Sequence, residues 1–164
     1  MSQVLGMDCS ISYSSAPNLG VDSLTVMNFL KFCGKTAQLC LFPLPRNKGV
    51  RVLVSLCVER RPHRSANRHM ECHVIDVEEF EDPSVEQMKE FISICEKARV
   101  ENKVVCVHCR MGRGRTGVML ACYLVKFYQQ EPSQAICNVR LMRPGSVETW
   151  EQERAVKNYR DYMG

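Results

Sequence analysis

The stretch His108-Cys109-Arg110-Met111-Gly112-Arg113-Gly114-Arg115-Thr116-Gly117 places a cysteine and an arginine at the two ends of a glycine-bearing run. Ahead of it, Lys103-Val104-Val105-Cys106-Val107 has the pattern of a short buried strand. Behind it, Gly117 to Phe127 contains no breaker and predicts a mostly buried helix. A strand, a tight loop and a helix in that order aim several backbone N–H groups inward. The helix start adds the positive end of its dipole, which suits a bound phosphate. The pattern therefore predicts an anion cradle with a thiol at its base.

Only a thiolate attacks. A free cysteine titrates near roughly 8.5, and helix N-termini and nearby cations lower that to about 3.5–7.5. Loop amides and Arg115 are expected to act on Cys109 in this way. Arg115 offers a planar fork able to hold two phosphate oxygens. Gly112 and Gly114 permit close approach of the backbone to the anion. Arg110, Met111, Gly112, Arg113, Gly114 and Arg115 are thus the candidate phosphate-binding residues. The bland alternative is a buried structural cysteine in a basic turn, and the complete strand–loop–helix context weighs against it.

His-Cys-x5-Arg-Thr-Gly resembles the signature of the cysteine-based protein tyrosine phosphatase superfamily. Met119 to Lys126 and Arg143-Pro144-Gly145-Ser146-Val147-Glu148-Thr149-Trp150-Glu151-Gln152-Glu153 are similar to the small atypical dual-specificity phosphatases, and the likeness runs from about Val50 to Tyr162. The resemblance implies an α/β fold: a central, mostly parallel sheet flanked by helices, with the loop at the C-terminal end of a middle strand. It implies a two-step displacement in which Cys109 takes the phosphoryl group and water hydrolyses the phosphocysteine. Arg115 and the loop amides would stabilise the equatorial oxygens. Thr116 would hydrogen-bond the sulfur, and His108 would orient the loop. The chemistry implied needs no metal and no cofactor, and its substrate class is a phosphorylated protein.

The family pattern also calls for an aspartate on a loop between a strand and a helix. Here the strand is Cys72 to Val77, the helix begins near Pro83-Ser84, and the acid position maps onto Glu79. Glutamate can donate a proton, but its extra methylene moves the carboxyl by about 1 Å, a misplacement that can cost roughly 100-fold in rate. Asp76 and Asp82 are the other candidates, with Asp82 better placed to cap the next helix. The bland reading of Glu79 is one more solvated charge. A handicapped acid favours phenolic leaving groups, whose pKa is near 10, over serine and threonine alkoxides.

A second departure is the pair Arg110 and Arg113, where close relatives carry mostly neutral residues. Their spacing resembles the loop of phosphoinositide phosphatases, so an inositol lipid, a doubly phosphorylated peptide or the 5′ end of RNA is the alternative substrate class. The plain reading is two solvated arginines. A third possibility is a phospho-binding module with weak turnover.

The 164 residues suit one domain with a real core. Residues 1–20 are expected to be a loose segment, and 21–164 a single phosphatase domain. A net charge of +4 fits an acidic substrate and falls short of a dedicated nucleic-acid binder, so no stable nucleic-acid partner is expected. Ten cysteines without an apolar leader or membrane-length run point to reduced thiols in the cytosol or nucleus. Cys57, Cys72, Cys106 and Cys122 fall on apolar patterns and are expected core residues. The oligomeric state is not legible.

Of the remaining elements, Val21 to Phe32 has helical spacing and Gln38 to Phe42 suggests an edge strand. The short link Pro45 to Gly49 suits a hairpin into the strand from Val50. Arg60-Arg61-Pro62-His63-Arg64 forms a basic loop. Helices are predicted over Ser84–Ala98, from Pro132, and over Val147–Tyr162 with Ser146 as N-cap and Gln152 near the site.

Overall fold

The computed structural model describes residues 50–58, 70–79 and 81–164 in full, and residues 30–32 and 38–41 as backbone strands. Five strands are described: β1 (Leu30–Phe32), β2 (Gln38–Leu41), β3 (Val50–Ser55), β4 (Glu71–Val74) and β5 (Val104–His108). The helices are α1 (Val85–Val100), α2 (Gly114–Tyr128), α3 (Pro132–Met142) and α4 (Trp150–Met163). The sheet order is β1-β2-β5-β3-β4. β3 pairs in parallel with both β4 and β5, while β2 is antiparallel to β5 and to β1. The parallel part carries the cysteine loop, as the fold class requires.

β5 is the middle strand, and all five of its residues are buried, which explains its unbroken apolar run. Its side chains still sort by face. Val105 and Val107 join the main core with Val52 and Val54, whereas Val104 and Cys106 cluster with Leu53 on the other face. A register irregularity between Val50 and Val52 puts Val50 on the same side as Leu53, as one extra residue in a strand does. The main core takes residues from all four helices, with Phe91, Met119, Leu124 and Val156 fully buried.

The N-terminal strands depart from the sequence reading. Leu30–Phe32, expected to close a helix, instead pairs with β2 in the register Leu30↔Leu41. A three-residue apolar–polar–apolar run fits either period, and sheet pairing decides it. β2 is consequently an inner strand. β2 and β3 run in opposite directions, as the short link suggested, but β5 lies between them. The expected loose segment 1–20, most of the Val21–Phe32 helix, the Pro45–Gly49 link and the basic loop at Arg60 lie outside the described residues.

Helix starts follow local chemistry. Ser84 caps α1: its hydroxyl accepts from Gln87 N at 3.2 Å and its N–H donates to Gln87 Oε1 at 2.8 Å. That capping box leaves Asp82, two residues earlier, without the capping role expected of it. α4 begins at Trp150 with Thr149 as N-cap, later than the Val147 start anticipated behind a Ser146 cap. Val147 has φ +53°, which cannot continue into a right-handed helix.

Cys57, Cys95, Cys106 and Cys122 are buried and Cys72 is half-buried; the seven cysteines described with their side chains are all free thiols. None of the described helices is long and apolar enough to cross a membrane.

Gly117 in α2 offers a test of what holds the C-terminal turn against this helix. Alanine is the better helix former by about 0.8–1.0 kcal/mol. A Cβ there would, however, meet the backbone N of Val147 at 2.8 Å and Ser146 Cβ at 3.2 Å. Contact with backbone wins, so Gly117→Ala is expected to lower Tm despite the propensity gain. Thermal unfolding by circular dichroism measures the sign.

Candidate active site

The loop Cys109–Arg113 leaves the C-terminal end of β5 and turns directly into α2. Its entry is fixed by Leu56 N, which donates to His108 O at 2.8 Å. The Cys109 side chain is buried, and its sulfur accepts from Gly112 N at 3.1 Å. Gly112 has φ +67°, the left-handed conformation that lets this amide turn back over the sulfur without a Cβ clash. α2 starts without a side-chain cap, so the first turn of its N–H groups is left to serve an anion. Burial pushes the Cys95 and Cys122 thiols far above the ordinary cysteine range, which makes them poor nucleophiles.

Arg115 is buried beneath this loop. Its Nη1 donates to Val77 O at 2.7 Å and to Leu56 O at 3.4 Å. The guanidinium thus joins the segments following β3 and β4 to the cysteine loop. His108 Nε2 lies 2.8 Å from Ser55 Oγ in a buried hydrogen bond. Thr116 differs from expectation. Among the described residues its buried Oγ1 has no hydrogen-bond partner, so the anticipated bond to the sulfur is not made, and the sulfur accepts from Gly112 N instead.

Of the three acid candidates, Glu79 is the one brought to the loop. Arg110 Nη1 donates to Glu79 Oε1 at 2.6 Å and to Oε2 at 2.8 Å. Among the described residues neither the Asp76 nor the Asp82 carboxylate has a hydrogen-bond or ionic partner; Asp76 contributes only its backbone carbonyl, which accepts from Gln87 Nε2 at 2.5 Å. Arg110 therefore faces the acid loop, while Arg113 is exposed and lies near Arg143. The guanidinium of Arg143 is held below its ordinary pKa by burial first and by the like charge of Arg113 second.

The turn before α4 completes the surroundings. Arg143 Nη2 donates to Met111 O at 2.8 Å, fixing the rim of the cysteine loop. Arg140 donates to Ser146 O at 3.1 Å, to Val147 O at 2.8 Å and to Glu153 Oε1 at 2.7 Å. These bonds brace Val147 in its left-handed conformation, which for a β-branched residue costs about 1–3 kcal/mol. Gln152 is buried, its Oε1 accepting from Glu148 N at 2.8 Å. A Cβ at Gly114 would meet both Gln152 Nε2 and Glu148 Oε2 at 2.7 Å, so a side chain there would displace the tips of these two residues. Arg140 and Arg143 carry no role in the sequence analysis; Arg143 opens a stretch quoted there as a family likeness, and Arg140 lies three residues ahead of it.

Together these parts can seat an oxyanion in loop amides above a thiol, with a buried guanidinium below and a carboxylate at the rim. Among the described residues no cluster of three or more His, Cys, Asp or Glu is placed to hold a metal ion.

Comparisons with known proteins agree with this geometry. The family model described as Swiss Army Knife protein, DSP-PTPase phosphatase domain, matches residues 44–156. The dual specificity protein phosphatase CDC14B of Mus musculus is 28% identical over 150 residues, covering 82% of this chain and 30% of its own length. The chain thus spans under a third of the curated relatives it matches. A crystal structure of Tk-PTP in the active form superimposes with TM-score 0.64 and 30% identity, over 68% of this chain and 79% of its own. PTPMT1 in complex with PI(5)P shares the fold at TM-score 0.61 and 18% identity, over 70% of this chain and 78% of that one. With the loop, the sheet and the family match in agreement, the chain belongs to the dual-specificity branch of the protein tyrosine phosphatase superfamily.

Proposed function

We propose that this chain is a cysteine-dependent protein phosphatase that favours phosphotyrosine over phosphoserine and phosphothreonine. The observation that carries the reading is the sulfur of Cys109 seated as an acceptor beneath Gly112 N at 3.1 Å. The Cys109 thiolate attacks phosphorus in line, the P–O bond to the leaving group breaks, and a phosphocysteine forms. Arg115 and the amides of Arg110, Met111, Gly112, Arg113 and Gly114 hold the three equatorial oxygens as charge spreads over them. Glu79 supplies the proton to the leaving oxygen and takes one from the attacking water in the second step. His108 keeps the loop oriented through Ser55. Thr116 Oγ1, unpartnered in the resting site, is available to the departing sulfur. A thiolate mechanism carries with it a reducing compartment, cytosol or nucleus. Within the family, Met119 to Lys126 and Arg143 to Glu153 support a resemblance to dual specificity protein phosphatase 23.

A second reading, removal of phosphate from a phosphoinositide, is favoured by the exposed Arg113 beside Arg143. The Arg110 guanidinium is paired with Glu79, so Arg113 is the observation behind this second reading.

The deciding experiment measures hydrolysis, with a chelator present, of an aryl phosphate, phosphotyrosine and phosphoserine peptides, an inositol lipid and triphosphate-ended RNA. Cys109→Ser serves as the blank. Turnover ranking phosphotyrosine above phosphoserine, abolished in the blank, is the expected result. Lipid above peptide promotes the second reading, and phosphopeptide binding without turnover replaces the enzyme by a binding module. Glu79→Gln is expected to slow poor alkoxide leaving groups by about 100-fold or more, within the usual range of general acid catalysis, and activated aryl esters far less. Equal losses across a leaving-group series remove Glu79 from the role.

A further inference from the structure

We propose that Arg110 is a positioning residue for Glu79, so that the two departures from the family pattern form one device. The inference rests on the reading of Glu79 as the proton donor. A glutamate at an aspartate position brings one more rotatable bond and a carboxyl displaced by about 1 Å, a displacement that can cost roughly 100-fold if nothing corrects it. In this protein both oxygens of Glu79 are held by a single nitrogen, Arg110 Nη1, at 2.6 and 2.8 Å. Arg110 follows Cys109 in the chain, so its reach is fixed by the same loop that seats the sulfur. The acid loop is anchored a second time at its base, where Arg115 Nη1 donates to Val77 O at 2.7 Å. Glu79 is therefore tied at both the root and the tip of its segment to the element that carries the nucleophile.

The exposure of the pair explains how a carboxylate so held can still work. The Arg110 and Glu79 side chains are 49% and 35% accessible, and ion pairs in such positions are marginal in strength. The carboxyl can leave Arg110 for a leaving oxygen arriving at the same rim without a large penalty. An arginine serving as a second-phosphate ligand has no reason to sit on the acid; a positioning arginine does.

A leaving-group series in a double-mutant cycle tests the coupling. Wild type, Arg110→Ala, Glu79→Gln and the double variant are assayed on an activated aryl phosphate and on a phosphoserine peptide. Arg110→Ala is expected to lower phosphoserine turnover about 3- to 5-fold, the size of effect an exposed ion pair can supply, with a smaller loss on the activated ester. Added to Glu79→Gln, the same substitution should cost less than about twofold more on the ratio between the two substrates, because coupled residues are not additive. Arg110→Lys, which keeps a cation at the rim, should recover most of the loss. Multiplying losses, or an Arg110→Ala defect equal on both leaving groups, overturns the positioning role while leaving Glu79 as the acid. A Glu79→Gln variant with the wild-type leaving-group dependence removes the acid and this inference together.

Discussion

The buried guanidinium of Arg115 is the tie on which the site depends. It donates to the carbonyls of Val77 and Leu56, one beyond β4 and one beyond β3, while its own backbone opens the helix that follows β5. Three parallel strand ends are thereby held at one point. A buried cation without hydrogen-bond partners would be strongly destabilising, so its bonds to these carbonyls make the local arrangement of the three ends mutually dependent. The loop amides, the sulfur and the acid segment inherit their relative positions from that tie.

Around it, the protein spends stability on placement. Val147 is left-handed, and three bonds from Arg140 brace its turn. Gly117 lacks the Cβ atom that would press on the backbone of the turn at Val147. Thr116 keeps a buried hydroxyl unpartnered, a cost of about 1–3 kcal/mol for a group of this kind. Such costs gather where chemistry needs a particular geometry rather than the most stable one.

Much of this was legible in the chain. The apolar run ending at Val107, the glycines and the unbroken helix behind them are local signals that tertiary packing had no reason to override, and β5, the loop and α2 follow them. Helix starts were less legible because neighbouring residues compete for the cap: Ser84 won over Asp82, and Thr149 over Ser146. Leu30–Phe32 was misread because three residues carry no period, and only pairing with β2 decides their conformation. Side-chain pairings between distant segments left no trace at all. Arg110 and Glu79 are thirty-one positions apart, and nothing in either neighbourhood announces the other.

The phosphocysteine itself is the most direct object to measure. Acid-quenched, rapidly mixed enzyme and phosphotyrosine peptide, digested and analysed by mass spectrometry, should carry one phosphoryl group on the peptide containing Cys109, appearing before phosphate is released. A phosphoryl group found on His108 or any other residue, or turnover that persists in Cys109→Ser, would contradict a sulfur nucleophile seated beneath the loop amides.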